Sequence, residues 1–251
     1  MTSASRKTPL LARMFATAVL SSAALLTPAY ANYNSGPINI NGTASDGRPV
    51  SGAVTFVYND GDPRMSVYLQ NFANPLGGIS QTLTGVMFGV IGQGTVDTGG
   101  HPWAGTTIDT STTGGSHNGW NCDKGSQGNP DTCTIANLSD STVAAGWDVG
   151  TSGSNYTLQA HQFHPYGIVN DNITPTDGLT GSANHNPYIL ATTFVLCVSD
   201  FNDSSIDVSS VRLFFGTTGD SFTHAPEPGF YGVLALGLGS LAFIRRRKKV
   251  S

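Results

Sequence analysis

The fold of this chain is indicated most clearly by residues 52–70, which read GAVTFVYNDGDPRMSVYLQ. Apolar residues recur at every second position on both sides of the central NDGDP, namely Val54 and Phe56, then Met65, Val67 and Leu69. A period of two is the pattern of a strand with one buried face. The central Asp-Gly step and the following proline are strong turn formers. The stretch therefore predicts a β-hairpin.

The rest of the body, residues 32–225, extends this pattern. Segments 82–90, 188–198 and 208–215 are rich in β-branched and aromatic residues and are predicted strands. Residues 92–155 are richer in small and polar residues, and we expect long loops with short strands there. No twelve-residue window of the body shows a 3.6-residue period. These patterns predict an all-β fold, an antiparallel β-sandwich over residues 34–222, with helix confined to the two chain ends.

Charge is sparse and unevenly distributed along the 251 residues. Only 11% of them are charged and 31 are glycine, which argues against a helical bundle. Residues 32–225 contain four basic residues against fifteen aspartates and no glutamate, a net charge of −11. A nucleic-acid binder needs a basic face, so that class of function is excluded.

Residues 1–31 have the pattern of a secretory signal peptide. Three basic residues within the first 13 flank the start of an apolar run at 14–26, and Ala29-Tyr30-Ala31 supplies the small-x-small cleavage pattern. Thirteen helical residues reach about 20 Å, less than the hydrocarbon core of about 30 Å. We therefore expect cleavage by signal peptidase after Ala31, with an uncleaved membrane anchor as the alternative.

The C-terminus, residues 226–251, has three parts. Pro226-Glu227-Pro228 precedes sixteen residues without a charge, 229–244. The basic cluster that follows consists of Arg245, Arg246, Arg247, Lys248 and Lys249. Sixteen helical residues reach about 24 Å, a short but possible membrane span. Since basic residues stay cytoplasmic, we predict a single transmembrane helix at 229–244 that leaves the body outside the inner membrane.

This tail resembles the PEP-CTERM sorting signal, through Pro226-Glu227-Pro228, the glycine-containing span and the basic cluster in that order. The resemblance implies removal of the tail by an exosortase, a membrane-embedded, cysteine-dependent, transpeptidase-like enzyme. It further implies a protein of the cell surface or extracellular matrix in a Gram-negative bacterium that makes exopolysaccharide. An ordinary anchor with an accidental motif is the alternative.

The body contains three cysteines, and export would place them in an oxidising compartment. Cys122 and Cys133 flank a short polar loop, so the sequence predicts a disulfide that closes it. Cys197 lies within the apolar run 194–198, and we expect a buried free thiol there.

Candidate metal ligands are few, and we expect no cofactor apart from a weak case for calcium. Asp60 and Asp62 are the calcium candidates, because carboxylates in flexible loops suit that ion. Aspartate is also an ordinary turn residue, and the EF-hand spacing is absent. His161 and His164 form an HxxH, which a strand would divide between its two faces. We therefore expect ordinary surface or hydrogen-bonded histidines.

Catalytic signatures are missing, since the sequence has no G-x-S-x-G, no phosphate-binding loop and no HExxH. Trp103, Trp120, Trp147 and Tyr156 could stack on sugars, although packing is the commoner role of tryptophan. The leading hypothesis is a non-catalytic exported protein, not an enzyme, that is associated with exopolysaccharide or biofilm. The alternatives are a secreted polysaccharide-active hydrolase and a calcium-dependent adhesin that uses the same sorting signal.

Overall fold

The computed structural model describes residues 32–107, 117–123, 132–163, 165–170, 173, 179, 186–201, 204–217 and 219–223. The predicted signal peptide, the Pro226-Glu227-Pro228 motif, the segment 229–244 and the basic cluster all lie outside these residues. Within them, no helix combines the length and the apolar character that crossing a membrane requires.

Strands make up most of the described secondary structure. In chain order they are β1 (Tyr33–Asn34), β2 (Ile38–Thr43), β3 (Pro49–Tyr58), β4 (Arg64–Asn71), β5 (Leu83–Ile91), β6 (Thr95–Val96), β7 (Ala104–Thr107), β8 (His117–Asp123), β9 (Thr132–Leu138), β10 (Trp147–Ser152), β11 (Asn155–Ala160), β12 (Tyr188–Ile189), β13 (Thr192–Ser199), β14 (Ser205–Phe215) and β15 (Asp220–Thr223). The described helices are α1 (Asp140–Ala145) and two 3₁₀ turns, Ile79–Gln81 and His161–Phe163.

The strands form three sheets. The largest has seven strands in the order β1-β3-β4-β13-β6, with β2 also pairing with β3 and β7 with β13. A five-stranded sheet has the order β10-β11-β5-β14-β15, and a three-stranded sheet the order β12-β8-β9. Every pair of named strands is antiparallel. The prediction of a mostly antiparallel, all-β body is confirmed.

The hairpin predicted from residues 52–70 is β3–β4. Tyr58 pairs with Met65 at its closed end, and Gly61 in the turn has φ 78°, a backbone conformation that glycine adopts without steric cost. The alternating residues Val54, Phe56, Met65, Val67 and Leu69 all have 0% exposure, as the pattern predicts. The predicted strand at 188–198 is divided into β12 and β13, while 82–90 and 208–215 correspond to β5 and β14.

Side chains from the two larger sheets meet in one core. The Phe56 ring of β3 lies 4.9 Å from the Phe88 ring of β5, centroid to centroid. Trp147 of β10 and Phe194 of β13 approach to 4.5 Å in the same way. At Gly52 of β3, an added Cβ would lie 3.1 Å from the Leu213 side chain of β14, a close contact between the two sheets, and 2.8 Å from the Gln70 carbonyl oxygen of β4.

The expectation that helix is confined to the chain ends is wrong. Helix α1 lies inside the body and is capped by Ser139, whose side chain accepts a hydrogen bond from the Thr142 amide. Serine is a favoured N-cap because it satisfies an amide that the first helical turn leaves unpaired. With six residues, α1 is too short to produce a detectable helical period. Residues 92–155 also contain longer strands than expected, since β8 and β9 have seven residues each.

Candidate binding site

A cavity of about 290 Å³ opens beside the tip of the β3–β4 hairpin. One wall consists of Tyr58 and residues 61–63 of the hairpin, and the other of residues 198–201, where β13 ends. The Val198 amide donates a hydrogen bond of 2.9 Å to the Pro63 carbonyl and joins the two walls. Pro63 and Val198 are apolar lining residues, as are the buried Tyr58 and Phe201, whose ring centroids are 5.3 Å apart.

Asp62 lies at the boundary between this cavity and the outer surface. Arg64 holds its carboxylate with two hydrogen bonds, Nε to Oδ1 at 2.8 Å and Nη2 to Oδ2 at 3.1 Å. This forked contact lowers the pKa of Asp62 below its ordinary value and raises that of Arg64. Both groups are therefore charged at neutral pH, and their planes are fixed relative to each other.

Tyr58 is a further titratable group of the cavity, which Asp62 and Asp200 also line. Burial raises the pKa of its hydroxyl, and the neighbouring carboxylates of Asp60 and Asp62 raise it further, against a lowering by a backbone hydrogen bond at Gly61. The hydroxyl therefore stays neutral at physiological pH. The polar groups of this site are thus suited to hydrogen bonding, with the acceptor Asp62 and the donor Arg64 side by side.

Trp103 continues the site onto the outer face of the seven-stranded sheet. Its side chain is 64% exposed, more than any other large apolar side chain among the described residues. The Arg64 Cζ atom lies 5.6 Å from the centre of its ring, a cation–π contact. Its amide donates a 2.8 Å hydrogen bond to the Val195 carbonyl of β13, which anchors the residue to the sheet.

Apart from Arg64, the outer faces of β4, β13 and β7 carry no charged side chain. Tyr68 of β4, Thr193 of β13 and Thr106 of β7 lie in one row across the strands, and directly paired residues point to the same face. All three are half-buried, and burial raises the pKa of Tyr68. The row offers hydroxyl groups and one aromatic ring, and the row Ser66–Val195–Ala104 separates it from Arg64.

The four aromatic residues that the sequence suggested for sugar stacking have separate positions. Trp147 is fully buried, and its Nε1 donates a 3.2 Å hydrogen bond to the Tyr166 carbonyl. Tyr156 is partly buried, with its ring centre 5.9 Å from that of Phe88, and Trp120 packs against the second core cluster. Packing is therefore the role of these three, and Trp103 alone of the four is exposed.

The calcium candidates receive little support from their neighbours. Asp62 is held by Arg64, as described, and no group of three or more potential metal ligands occurs within the described parts of the chain. Asp60 has one buried carboxylate oxygen, Oδ1, with no hydrogen-bond partner among those residues. Calcium binding at Asp60 and Asp62 stays a prediction.

The Cys122–Cys133 disulfide is confirmed. The two cysteines are directly opposite each other on β8 and β9, with their Cα atoms 4.0 Å apart and an S–S distance of 1.99 Å. Cys122 is buried in the second core cluster. The Asn186 side chain fixes its backbone, accepting from the Cys122 amide and donating to the Cys122 carbonyl, both at 2.9 Å.

The expectation that Cys197 is buried is wrong, because its thiol is free but exposed. In β13 the alternation places Leu196 and Val198 in the core and Cys197 on the opposite face. The apolar run suggested burial, whereas the period of two decides which of its members face inward. Cys197 is directly opposite Arg64 in the sheet, next to the candidate site.

The histidines form a separate small network. His161 lies in a 3₁₀ turn instead of a strand, and its Nδ1 is 2.7 Å from Asp148 Oδ2. The Nδ1 atom of His101 is 2.7 Å from the Trp147 carbonyl oxygen and 3.4 Å from Asp148 Oδ1. His164 lies outside the described residues. His101 thereby ties the segment just before Trp103 to β10.

No protein-family model and no curated protein sequence matches this chain. The candidate site is therefore interpreted from its own chemistry. Sequence reasoning selected Trp103 and Asp62 separately but missed Arg64, the residue that joins them. Its position directly after the turn proline, in alternation with the buried Met65, was the signal that it faces outward.

Proposed function

We propose that this protein is an exported, non-catalytic β-sandwich protein that an exosortase sorts to the cell surface or extracellular matrix of a Gram-negative bacterium, where it associates with exopolysaccharide. The observation that carries the proposal is the order of the three parts of the tail, Pro226-Glu227-Pro228, the uncharged segment 229–244 and the basic cluster 245–249. A lone Pro-Glu-Pro would carry little weight, but the three parts in succession are specific.

Features of the described body agree with export. A disulfide persists in oxidising compartments and is rare in the cytosol. Strand β15 ends at Thr223, and only two residues separate it from Pro226. The motif thus follows closely after the last described strand. Because proline fixes its own φ and disfavours a helical conformation for the residue before it, we expect an extended segment there. An extended segment suits binding by a protease-like enzyme.

The sandwich arrangement is supported by the shared core of the two larger sheets. Contacts such as Phe56–Phe88 join strands of different sheets, and the alternation along β4 buries one face and leaves the other to solvent. The non-catalytic interpretation is supported by the groups of the cavity, where the carboxylate of Asp62 is held by Arg64 and the Tyr58 hydroxyl is neutral. The fixed Asp62–Arg64 pair and the neutral Tyr58 hydroxyl are suited to hydrogen bonding with a ligand.

Processing of the tail provides the test of this proposal. Replacement of Pro226-Glu227-Pro228 by three alanines should make the full-length chain accumulate in the membrane fraction of producing cells, measured by fractionation and immunoblotting. The same replacement at Asn129-Pro130-Asp131, another proline-containing tripeptide of the chain, is the matched control and should be processed normally. Mass spectrometry of the wild-type extracellular protein should find an N-terminus at Asn32 and no residues 245–249. An extracellular protein that retains Arg245–Lys249 would refute sorting.

A further inference from the structure

We propose that the groups running from the hairpin cavity through Asp62 and Arg64 to Trp103 form a binding site for a neutral polysaccharide chain. The inference deepens the proposed function and rests on it for the association with exopolysaccharide. Its structural basis is separate, because it depends on described residues and not on the tail.

Trp103 supplies a stacking surface. Its ring is 64% exposed although its backbone is fixed to β13 and its ring is held beside Arg64. A single exposed apolar residue needs no explanation. Here, however, the exposed ring is anchored and adjoins directed hydrogen-bonding groups. An aromatic face next to such groups suits a sugar, which has an apolar C–H face and a rim of hydroxyl groups.

Asp62 and Arg64 supply an adjacent acceptor and donor. The two bonds between them engage Nε and Nη2 of the guanidinium, which has five N–H donors in all, and one lone pair on each carboxylate oxygen. Donors and acceptors thus stay available at a surface where Arg64 is 51% and Asp62 26% exposed. Since neighbouring sugar hydroxyls each donate and accept, a fixed carboxylate–guanidinium pair matches them.

The cavity can take one end or one residue of such a chain. Its volume of about 290 Å³ is close to the lower limit of ordinary ligand pockets. Its apolar lining consists of Tyr58, Pro63, Val198 and Phe201, while Ser199 and Asp200 add polar groups at the edge. This combination of an apolar surface and a few polar groups is typical of small-ligand sites.

Charge decides which class of polysaccharide fits. The charge of Arg64 is balanced by Asp62, Asp200 adds a further carboxylate, and residues 32–225 have a net charge of −11. This field repels a uronate or sulfated polymer. The row of Tyr68, Thr193 and Thr106 lies on the same face, beyond the row Ser66–Val195–Ala104, and adds hydroxyl groups and no charge. A neutral chain is therefore the ligand that the surface favours.

The test is affinity electrophoresis of the full-length chain, purified in a sugar-free nonionic detergent, through native gels that contain hydroxyethyl cellulose, dextran or galactomannan. Gels with alginate, a uronate polymer, test the choice of a neutral ligand. At least one neutral polymer should retard the wild-type protein, and alginate should not. The proposal would be overturned if none of the three neutral polymers retarded the protein, or if alginate alone did.

Variants locate the binding. Trp103→Ala should weaken the interaction about tenfold or more, as loss of a central aromatic anchor does, and Asp62→Asn should weaken it too. Phe72→Ala is the matched control, because Phe72 is an exposed aromatic residue, 45% exposed, just beyond the other end of β4. Equal retardation of Trp103→Ala and wild type would refute the site. Trp103→Ala should be exported and processed normally, so a failure of binding and a failure of sorting are distinguishable.

Discussion

The contact between Phe56 and Phe88 provides a direct test of how the two larger sheets pack. Both side chains have 0% exposure, and their ring centres are 4.9 Å apart at an interplanar angle of 57°. We expect Phe56→Leu and Phe88→Leu each to lower the free energy of unfolding by about 1–1.5 kcal/mol, because leucine keeps most of the apolar volume. Alanine would cost about 3–5 kcal/mol, a large share of the stability of a domain.

The double variant separates the ring–ring contact from ordinary burial. Tilted aromatic pairs contribute about 0.5–1.5 kcal/mol beyond area burial. Each single variant already loses the ring–ring contact. The double variant should therefore lose less stability than the two single variants added together, by about that amount. Urea denaturation followed by circular dichroism measures the three values, with unchanged m as the check on two-state unfolding.

Exposed Phe72 is the control for the chemistry of the substitution. Phe72→Leu lies outside the core and should change stability by less than about 0.5 kcal/mol. Additivity of the Phe56 and Phe88 variants within about 0.3–0.5 kcal/mol would refute the inference that β3 and β5 pack through these rings. Such a result would also remove the main support for the sandwich.

Three further predictions concern other parts of the body. Gly52→Ala should destabilise the protein by about 1–3 kcal/mol, because the new Cβ would lie 2.8 Å from the Gln70 carbonyl oxygen. Gly100→Ala is the control and should be tolerated, because nothing lies within 4 Å of an added Cβ there. Thermal melts of the two variants compare their stability. Burial raises the pKa of Tyr188 above its ordinary value of 10.0, so its contribution to stability should be complete below that pH and lost above it, as the unfolded state ionises first. Tyr188→Phe should weaken the fall in stability above about pH 9.5, and an unchanged fall would contradict the argument. Peptide mapping without reduction should recover the Cys122–Cys133 link and find Cys197 labelled by a maleimide in the folded protein, and protection of Cys197 would contradict its outward position.

Local patterns predicted the strands well where one face is buried. In the β3–β4 hairpin the alternation of apolar residues and the Asp-Gly step both predicted the observed structure, in which Gly61 occupies the turn. Such predictions succeed because turn chemistry and burial act over a few residues. The Cys122–Cys133 disulfide was predictable for a similar reason, since a short loop keeps the two thiols close. Helix α1 was not, because a six-residue helix held by a serine cap leaves no period in the sequence.

The position of Cys197 shows where composition misleads. Its neighbours are apolar, yet the strand turns it away from the core toward Arg64. The sequence contains the alternation that places Cys197 outward, but only the pairing of β13 with β4 shows what lies opposite. Register between strands distant in the chain depends on the packing of the whole sheet, which no local pattern encodes.

By itself the sequence determined the all-β character of the body, its acidic surface and the resemblance of the tail to a PEP-CTERM sorting signal. These features depend on composition and on residues close together in the chain. The tertiary structure alone decided that Asp62, Arg64 and Trp103 form one line of groups. Trp103 precedes β7 and Arg64 begins β4, and strand β13, from nearly a hundred residues further along, lies between β4 and β7. Long-range pairing of this kind is fixed by the joint burial of many side chains, so the candidate site exists only in the folded sheet.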